Sequence, residues 1–171
     1  MLILSLVIIV VAVVLDQVTK YIAVAKLKPI DTHTFIPKLI EFNYETNEGI
    51  AWGMLQGKRW IFIPTSIIAI GIVVYILIKY RKKISPCLSI ALAMIAGGGV
   101  GNQIDRIVSG KVVDFLNFLF IEFPVFNVAD CFVSVGCAIA IFSVLVFDRH
   151  LLFDEKKPKS VAEKGTEEDK K

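Results

Sequence analysis

The sequence predicts an all-α membrane protein: four transmembrane helices with a small extracytoplasmic β-sheet and a short interfacial helix. Three observations predict it. Of 171 residues, 56% are hydrophobic and 20% charged, more apolar than an ordinary soluble domain. The apolar residues fall into four runs, about 3–24, 60–79, 87–107 and 127–147, each near the ~20 residues a bilayer requires. Charge is excluded from most of these runs and collects at 79–83, in the segment after residue 25 and beyond residue 148.

The first run reads as an uncleaved transmembrane helix. Ala23-Val24-Ala25 has the small residues of a signal-peptide cleavage site, but no Lys or Arg precedes the apolar stretch, and the helical pattern continues through Asp16-Gln17-Val18-Thr19-Lys20. The loop 25–59 follows. From Leu39 to Asn47 it alternates, with Ile40, Phe42 and Tyr44 on one side and Glu41, Asn43 and Glu45 on the other. That period of two predicts a strand with one apolar face, and Pro37 is placed at its edge. Ile50 to Leu55, with Trp52, predicts a short helix at the membrane interface. In the second run Pro64 is expected in the first helical turn, where a missing N–H costs little. In the third, Ala93, Gly97 and Gly101 share one helix face, which lets a neighbouring backbone approach closely. Residues 1–153 are expected to form the membrane domain, and 154–171 a charged, disordered cytoplasmic tail.

Lys79, Arg81, Lys82 and Lys83 form a compact basic cluster between runs two and three. Positive-inside logic puts this cluster and both termini in the cytoplasm, with loops 25–59 and 108–126 outside. The net charge of +3 is too small and scattered to argue for nucleic acid. Cys87, Cys131 and Cys137 show no metal spacing and read as buried free thiols. His33 and His150 are lone and read as surface residues. They form no cluster that would suggest a metal site.

Asp16, Asp105, Asp114 and Asp130 lie in or beside apolar runs. A carboxylate at membrane depth costs about 2.5–3.5 kcal/mol on insertion scales unless paired, wetted or protonated. Asp16 and Lys20, at i and i+4, read as a structural ion pair, with Lys20 also able to snorkel. Asn102, Asp105 and Arg106 share a face, and Arg106 is expected to neutralise Asp105. Asp114 has only Lys111 as a neighbouring cation, and Asp130 sits inside the fourth run, where a capping role is not expected. The two border one short connection. If they meet, desolvation and mutual repulsion leave one protonated and one ionised, the combination that activates water in aspartic proteases. The bland alternative is that each Asp only bonds local backbone. A proton- or ion-coupled transporter or channel subunit, and a non-enzymatic scaffold, are the competing classes. Against the transporter, the polar residues gather at one end of the bundle.

Five motifs in order carry a resemblance. They are Asp16-Gln17-Val18-Thr19-Lys20, Asn47-Glu48-Gly49-Ile50-Ala51-Trp52, Gly98-Gly99-Val100-Gly101-Asn102-Gln103-Ile104-Asp105-Arg106, Val112-Val113-Asp114-Phe115 and Phe126-Asn127-Val128-Ala129-Asp130. The chain resembles the bacterial lipoprotein signal peptidases (signal peptidase II) across about its first 150 residues. The resemblance implies an integral-membrane aspartic endopeptidase of the bacterial cytoplasmic (inner) membrane. Such an enzyme removes the signal peptide from diacylglyceryl-modified prolipoproteins, cutting just before the lipidated cysteine, and works near the outer face. By motif position the catalytic residues are Asp114 and Asp130. Asn102, Arg106 and Asn127 line the site, and Asp105, Asp16, Lys20, Asn47 and Gly49 support substrate or structure. The expected partners are the prolipoprotein substrate, membrane lipid and a globomycin-type cyclic peptide inhibitor, with the chain acting as a monomer. The resemblance implies no metal or organic cofactor.

Overall fold

The computed structural model describes residues 1–48 and 59–153. Helix α1 spans Leu2–Ile22 and runs on through a π-helical turn, Ala23–Leu27. Strands β1 (Thr32–Ile36) and β2 (Ile40–Asn47) follow, then helices α2 (Arg59–Lys79) and α3 (Pro86–Val108). Strand β3 (Val112–Phe118), helix α4 (Val128–Val146) and a short α5 (His150–Phe153) complete the order. Among the described residues three helices are long and apolar enough to cross a membrane: Leu2–Leu27, Pro86–Val108 and Val128–Val146. In α2 the apolar stretch found among the described residues is Ile63–Lys79. The whole of α2 is 21 residues, about 31 Å long and so matched to a hydrocarbon core of about 30 Å.

Helix α1 is apolar outside and polar inside. Its buried residues are Ser5, Ala12, Asp16 and Lys20, a single stripe, while Ile3, Leu6, Val10 and Val14 are exposed. Lipid is the natural solvent for such a surface. Helix α3 is central and contacts α1, α2 and α4. Three consecutive glycines make this possible, each facing a different neighbour. A Cβ at Gly97 would lie 2.7 Å from Ala12 of α1, and one at Gly99 would lie 2.9 Å from Ile70 of α2. One at Gly98 would collide with the carbonyl oxygen of Ala129 in α4. Gly101 faces Asp16, whose Oδ2 would be 2.5 Å from an added Cβ. The expected close approach on the 93/97/101 face is therefore made by α1.

At the opposite end from the sheet, Asp148 ties α3 to the end of α4. Its carboxylate accepts from Ser85 N at 2.7 Å, Ser85 Oγ at 2.6 Å and Ser143 Oγ at 2.8 Å. Ser85 is the N-cap of α3, with Pro86 behind it. Leu77, Ile84, Leu88, Leu92 and Ala93 form an apolar cluster in this half of the bundle.

The strands form one antiparallel sheet in the order β1-β2-β3. The predicted strand at 39–47 is β2, and Pro37 lies in the turn before it. Strands β1 and β3 flank it, and neither follows from the alternation at 39–47. Gly110, at φ 78°, turns the chain from α3 into β3, a conformation open to glycine. Two expectations are corrected. Pro64 lies inside α2, beyond its first turn. Nearby carbonyls find side-chain donors, Thr65 Oγ1 to Ile61 O at 2.8 Å and Gln103 Nε2 to Ile63 O at 3.4 Å. None of the cysteines is fully buried, and Cys137 is exposed, because an apolar side chain in a lipid-facing helix has no need of a protein interior. The predicted interfacial helix at 50–55, Gly49 and the tail 154–171 lie outside the described residues.

Candidate active site

The site is assembled where α1, α3, β3 and the start of α4 converge. Lys20 is its hub. The residue is 3% exposed and Asp16 is 0% exposed, so the lysine does not snorkel. Its Nζ lies 2.8 Å from Asp16 Oδ2 and 2.8 Å from Asp105 Oδ2, and donates to Asn102 Oδ1 at 2.8 Å. Three donors thus meet three acceptors, which a buried ammonium needs. Asp105 therefore pairs with Lys20 rather than with Arg106 as the sequence suggested. Consecutive helix positions diverge by about 100°. Asp105 turns toward α1, while Arg106 turns to the cleft and is held electrostatically by Asp130 first, then Asp114 and Asp105.

Gln17 braces the same network. Its Nε2 donates to Asp105 Oδ1 at 3.0 Å, Gly101 O at 3.2 Å and Asp16 Oδ2 at 3.2 Å. It was missed as a site residue; its place one residue after a buried aspartate was the available signal. Asp16 also reaches α4, accepting from Ala129 N at 3.0 Å, one of the N–H groups a helix start leaves unpaired.

Asn127 joins the two remaining aspartates. After β3 the chain returns along that strand: Phe115 N and Leu116 N donate to Phe126 O at 2.9 and 2.8 Å, and Phe126 N to Leu116 O at 3.0 Å. This return delivers Asn127 beside Asp114. Asn127, 0% exposed, caps α4 in a reciprocal box. Asp130 N donates to its Oδ1 at 3.0 Å, and its own N donates to Asp130 Oδ2 at 3.1 Å. Asp130 does take a capping role, contrary to expectation, because α4 begins at Val128 and puts it in the first turn. The Asn127 side chain then donates to Asp114 Oδ1 at 2.6 Å and Asn102 Oδ1 at 3.0 Å. Asn102 closes the circuit by donating to Asp130 Oδ1 at 2.8 Å.

Asp130 thus accepts a hydrogen bond on each oxygen. Asp114, 4% exposed, is in a different state. Burial, reinforced by repulsion from Asp130, pushes its carboxyl up to about 7 despite hydrogen bonds from Asn127 and Asn47 and the attraction of Lys20. Both aspartates line a cleft of about 530 Å³ with Asn47, Asn102 and Arg106. Its other wall is aromatic: Phe118 stacks on Phe126 with centroids 4.9 Å apart and on Phe123 at 5.9 Å. The arrangement offers a pair of unlike carboxyls, one guanidinium, and an apolar surface for a greasy ligand.

Of the residues singled out from the sequence, Asp114, Asp130, Asn102, Arg106 and Asn47 border this cleft. Asn127, Lys20, Asp16 and Asp105 stand behind it. Among the described residues no group of three or more His, Cys, Asp or Glu side chains is arranged to hold a metal ion.

Comparison with known proteins agrees with the motifs. The family model for signal peptidase (SPase) II matches residues 8–146. A lipoprotein signal peptidase of Brevibacillus brevis is 43% identical over 137 residues, covering 80% of this chain and 91% of that protein. One from Symbiobacterium thermophilum is 39% identical over 148 residues, covering 85% and 97%. A bacterial membrane enzyme solved by the in meso method at 2.3 Å superposes with a TM-score of 0.77 at 33% identity, over 91% of this chain and 93% of that one. A second, solved at 1.9 Å, gives 0.74 at 35% identity, over 84% and 93%.

Proposed function

Since the chain belongs to the signal peptidase II family of aspartic peptidases, we propose that Asp114 and Asp130 form the water-activating pair that cleaves prolipoprotein signal peptides. The observation that carries this is the single residue, Asn127, bonded to both carboxyls, to Asp114 through its side-chain amide and to Asp130 through its backbone N–H. Asp130, with an acceptor bond on each oxygen, is the base that takes a proton from the attacking water. Asp114, raised to about 7, keeps a proton into the neutral range and gives it to the substrate carbonyl oxygen as water attacks. Asp130 then delivers the water-derived proton to the leaving nitrogen, and Asp114 takes back a proton from the diol as the C–N bond breaks. Water oxygen bonds to the carbonyl carbon, the C–N bond breaks, and one proton ends on each product as the pair resets. Arg106, facing both aspartates, balances charge as the tetrahedral oxyanion develops. The aromatic wall receives the lipid-modified end of a diacylglyceryl prolipoprotein, with the cut just before the modified cysteine. A globomycin-type cyclic peptide would occupy the same cleft.

We place the enzyme in the bacterial cytoplasmic membrane with both termini inside and the cleft near the outer face. Residues 1–153 form the peptidase domain and 154–171 an appended charged tail. One chain supplies the whole pair, so a monomer suffices. A transporter is less well supported. The buried polar network at the sheet end is separated from the Ser85–Ser143–Asp148 cluster by the apolar group around Leu88 and Leu92, which leaves no polar path among the described residues.

The test is in vitro cleavage of a diacylglyceryl precursor. Asp114→Asn and Asp130→Asn should each lower turnover by on the order of 10²-fold or more, and the double variant should be little worse than either. Chelators should change nothing. Substantial turnover by either folded single variant would sink the mechanism.

A further inference from the structure

A second cavity, of about 360 Å³, lies between the sheet end of α1 and the sheet. We propose that it binds one acyl chain of a bilayer phospholipid, with Lys26 at its mouth holding the phosphate.

The cavity is distinct from the cleft. Successive strand residues face opposite sides. In β3, Val112, Asp114 and Phe118 line the cleft, whereas Phe115 lines this cavity. Its walls are Ile22 at the end of α1 and Ala23 and Leu27 from its π-helical continuation, with Phe42 and Phe115 from the sheet. Nothing inside calls for water. The Thr19 hydroxyl on its wall is spent on its own helix, donating to Leu15 O at 2.8 Å and Asp16 O at 2.9 Å. A water molecule needs two to four polar partners to be stable in such a space, so hydrocarbon is the favourable filling. The rim is open to the bilayer. Ile22 and Ile30, which line it, are exposed, and Tyr21, the residue before Ile22 and 74% exposed, is suited to the headgroup level.

The charge around the mouth selects the headgroup. Lys26 and His33 border the cavity, and Lys28 lies nearby, 5.8 Å over the ring of Tyr44. Among the described residues Lys26 has no ion pair or hydrogen bond, so its ammonium is available to a phosphate. The substrate is a poorer occupant. Its scissile bond must reach Asp114 on the other face of β3, and a chain tethered to it would have to pass around the strand.

The test uses the full chain in nanodiscs carrying a trace of phospholipid with a diazirine at the acyl terminus. After irradiation, labelled peptides are mapped by mass spectrometry. Labelling should concentrate on residues 19–42 and Phe115. Ile30→Trp, which fills the mouth, and Lys26→Glu should each reduce it by roughly fivefold or more, while Lys26→Arg should retain it. Even labelling of all lipid-facing helix surfaces would overturn the proposal, as would undiminished labelling in both variants. Equal labelling by a diazirine diacylglycerol, which has no anionic headgroup, would overturn the role of Lys26. Loss of label on adding excess lipidated precursor would assign the cavity to substrate instead. None of these readouts depends on peptidase activity, so the cavity and the aspartate pair stand or fall separately.

Discussion

Two cations, Lys20 and Arg106, face four carboxyls, those of Asp16, Asp105, Asp114 and Asp130. Full ionisation would leave two negative charges uncompensated at the edge of a low-dielectric bundle. Taking up one proton is the least costly relief, and Asp114, the member raised to about 7, is where it goes. A carboxyl raised in the folded state binds its proton more tightly there than in the unfolded chain. Its contribution to stability is therefore fully present below the usual carboxylate range and is lost as pH rises from about 4 through about 7. Asp114→Asn removes that loss. The variant should be more stable than the wild type at pH 8, by up to about 4 kcal/mol, and nearly equal to it at pH 4. Thermal unfolding in one detergent across that range measures the difference; a wild type whose relative stability does not fall with pH would show that Asp114 is not the proton holder. Activity should fall on the alkaline side near pH 7, as Asp114 loses the proton it must donate. Much of this was legible in the sequence, because carboxyls beside apolar runs demand a reason. What was not legible was the partner of Asp105, since neighbours in sequence point to different helices and only packing chooses between Lys20 and Arg106.

At the scale of elements, the site depends on how closely α4 lies against α3. Gly98 faces Ala129, the residue before Asp130, and an added Cβ would also meet Val133 Cγ2 at 2.9 Å. The obstacle is backbone on one side and a branched side chain on the other, neither of which swings away. Gly98→Ala should push the first turn of α4 outward and carry Asp130 from Asn102, at a cost of about 1–3 kcal/mol and a tenfold or greater loss of turnover, on the order expected for a small misplacement of a reacting group. Gly71→Ala is the matched control, with nothing within 4 Å of its Cβ, and should leave activity unchanged and stabilise α2 by up to about 1 kcal/mol. The pair is read by unfolding midpoints and cleavage rates; equal behaviour of the two variants would contradict the packing argument. The helices were legible because apolar runs of bilayer length have few other uses. β3 was harder, although Val112, Asp114, Leu116 and Phe118 do alternate with Val113, Phe115 and Asn117. It lies in a stretch without turn signals of its own, and its pairing with β2 joins residues far apart in the chain, with Asn47 opposite Val112 and Glu45 opposite Asp114.

For the molecule as a whole, the bundle has two unlike ends. One carries the sheet, the cleft and the second cavity. The other carries the turn after Lys79 and the Asp148 tie, with Lys83 O held 3.0 Å from His150 Nε2. The proposed orientation of these ends rests on the charge pattern. Lys79, Arg81, Lys82 and Lys83 are concentrated within one short turn between two spans, where positive charge most strongly opposes translocation. The lysines of the sheet end are more dispersed and share their segment with Asp31, Glu41, Glu45 and Glu48. On this pattern we propose that this end faces outward, where a substrate cleft can meet lipid-modified precursors in the outer leaflet. An even number of spans then brings residue 149 back to the side of residue 83, as the His150 contact to the Lys83 carbonyl requires. Single cysteines introduced one at a time into a background lacking Cys87, Cys131 and Cys137 test the arrangement with an impermeant thiol reagent on intact cells. Positions 45 and 111 should label from outside, and positions 83 and 149 only after the membrane is opened. Labelling of position 83 in intact cells would reverse the orientation and put the aspartate pair on the cytoplasmic side, out of reach of precursors presented at the outer face.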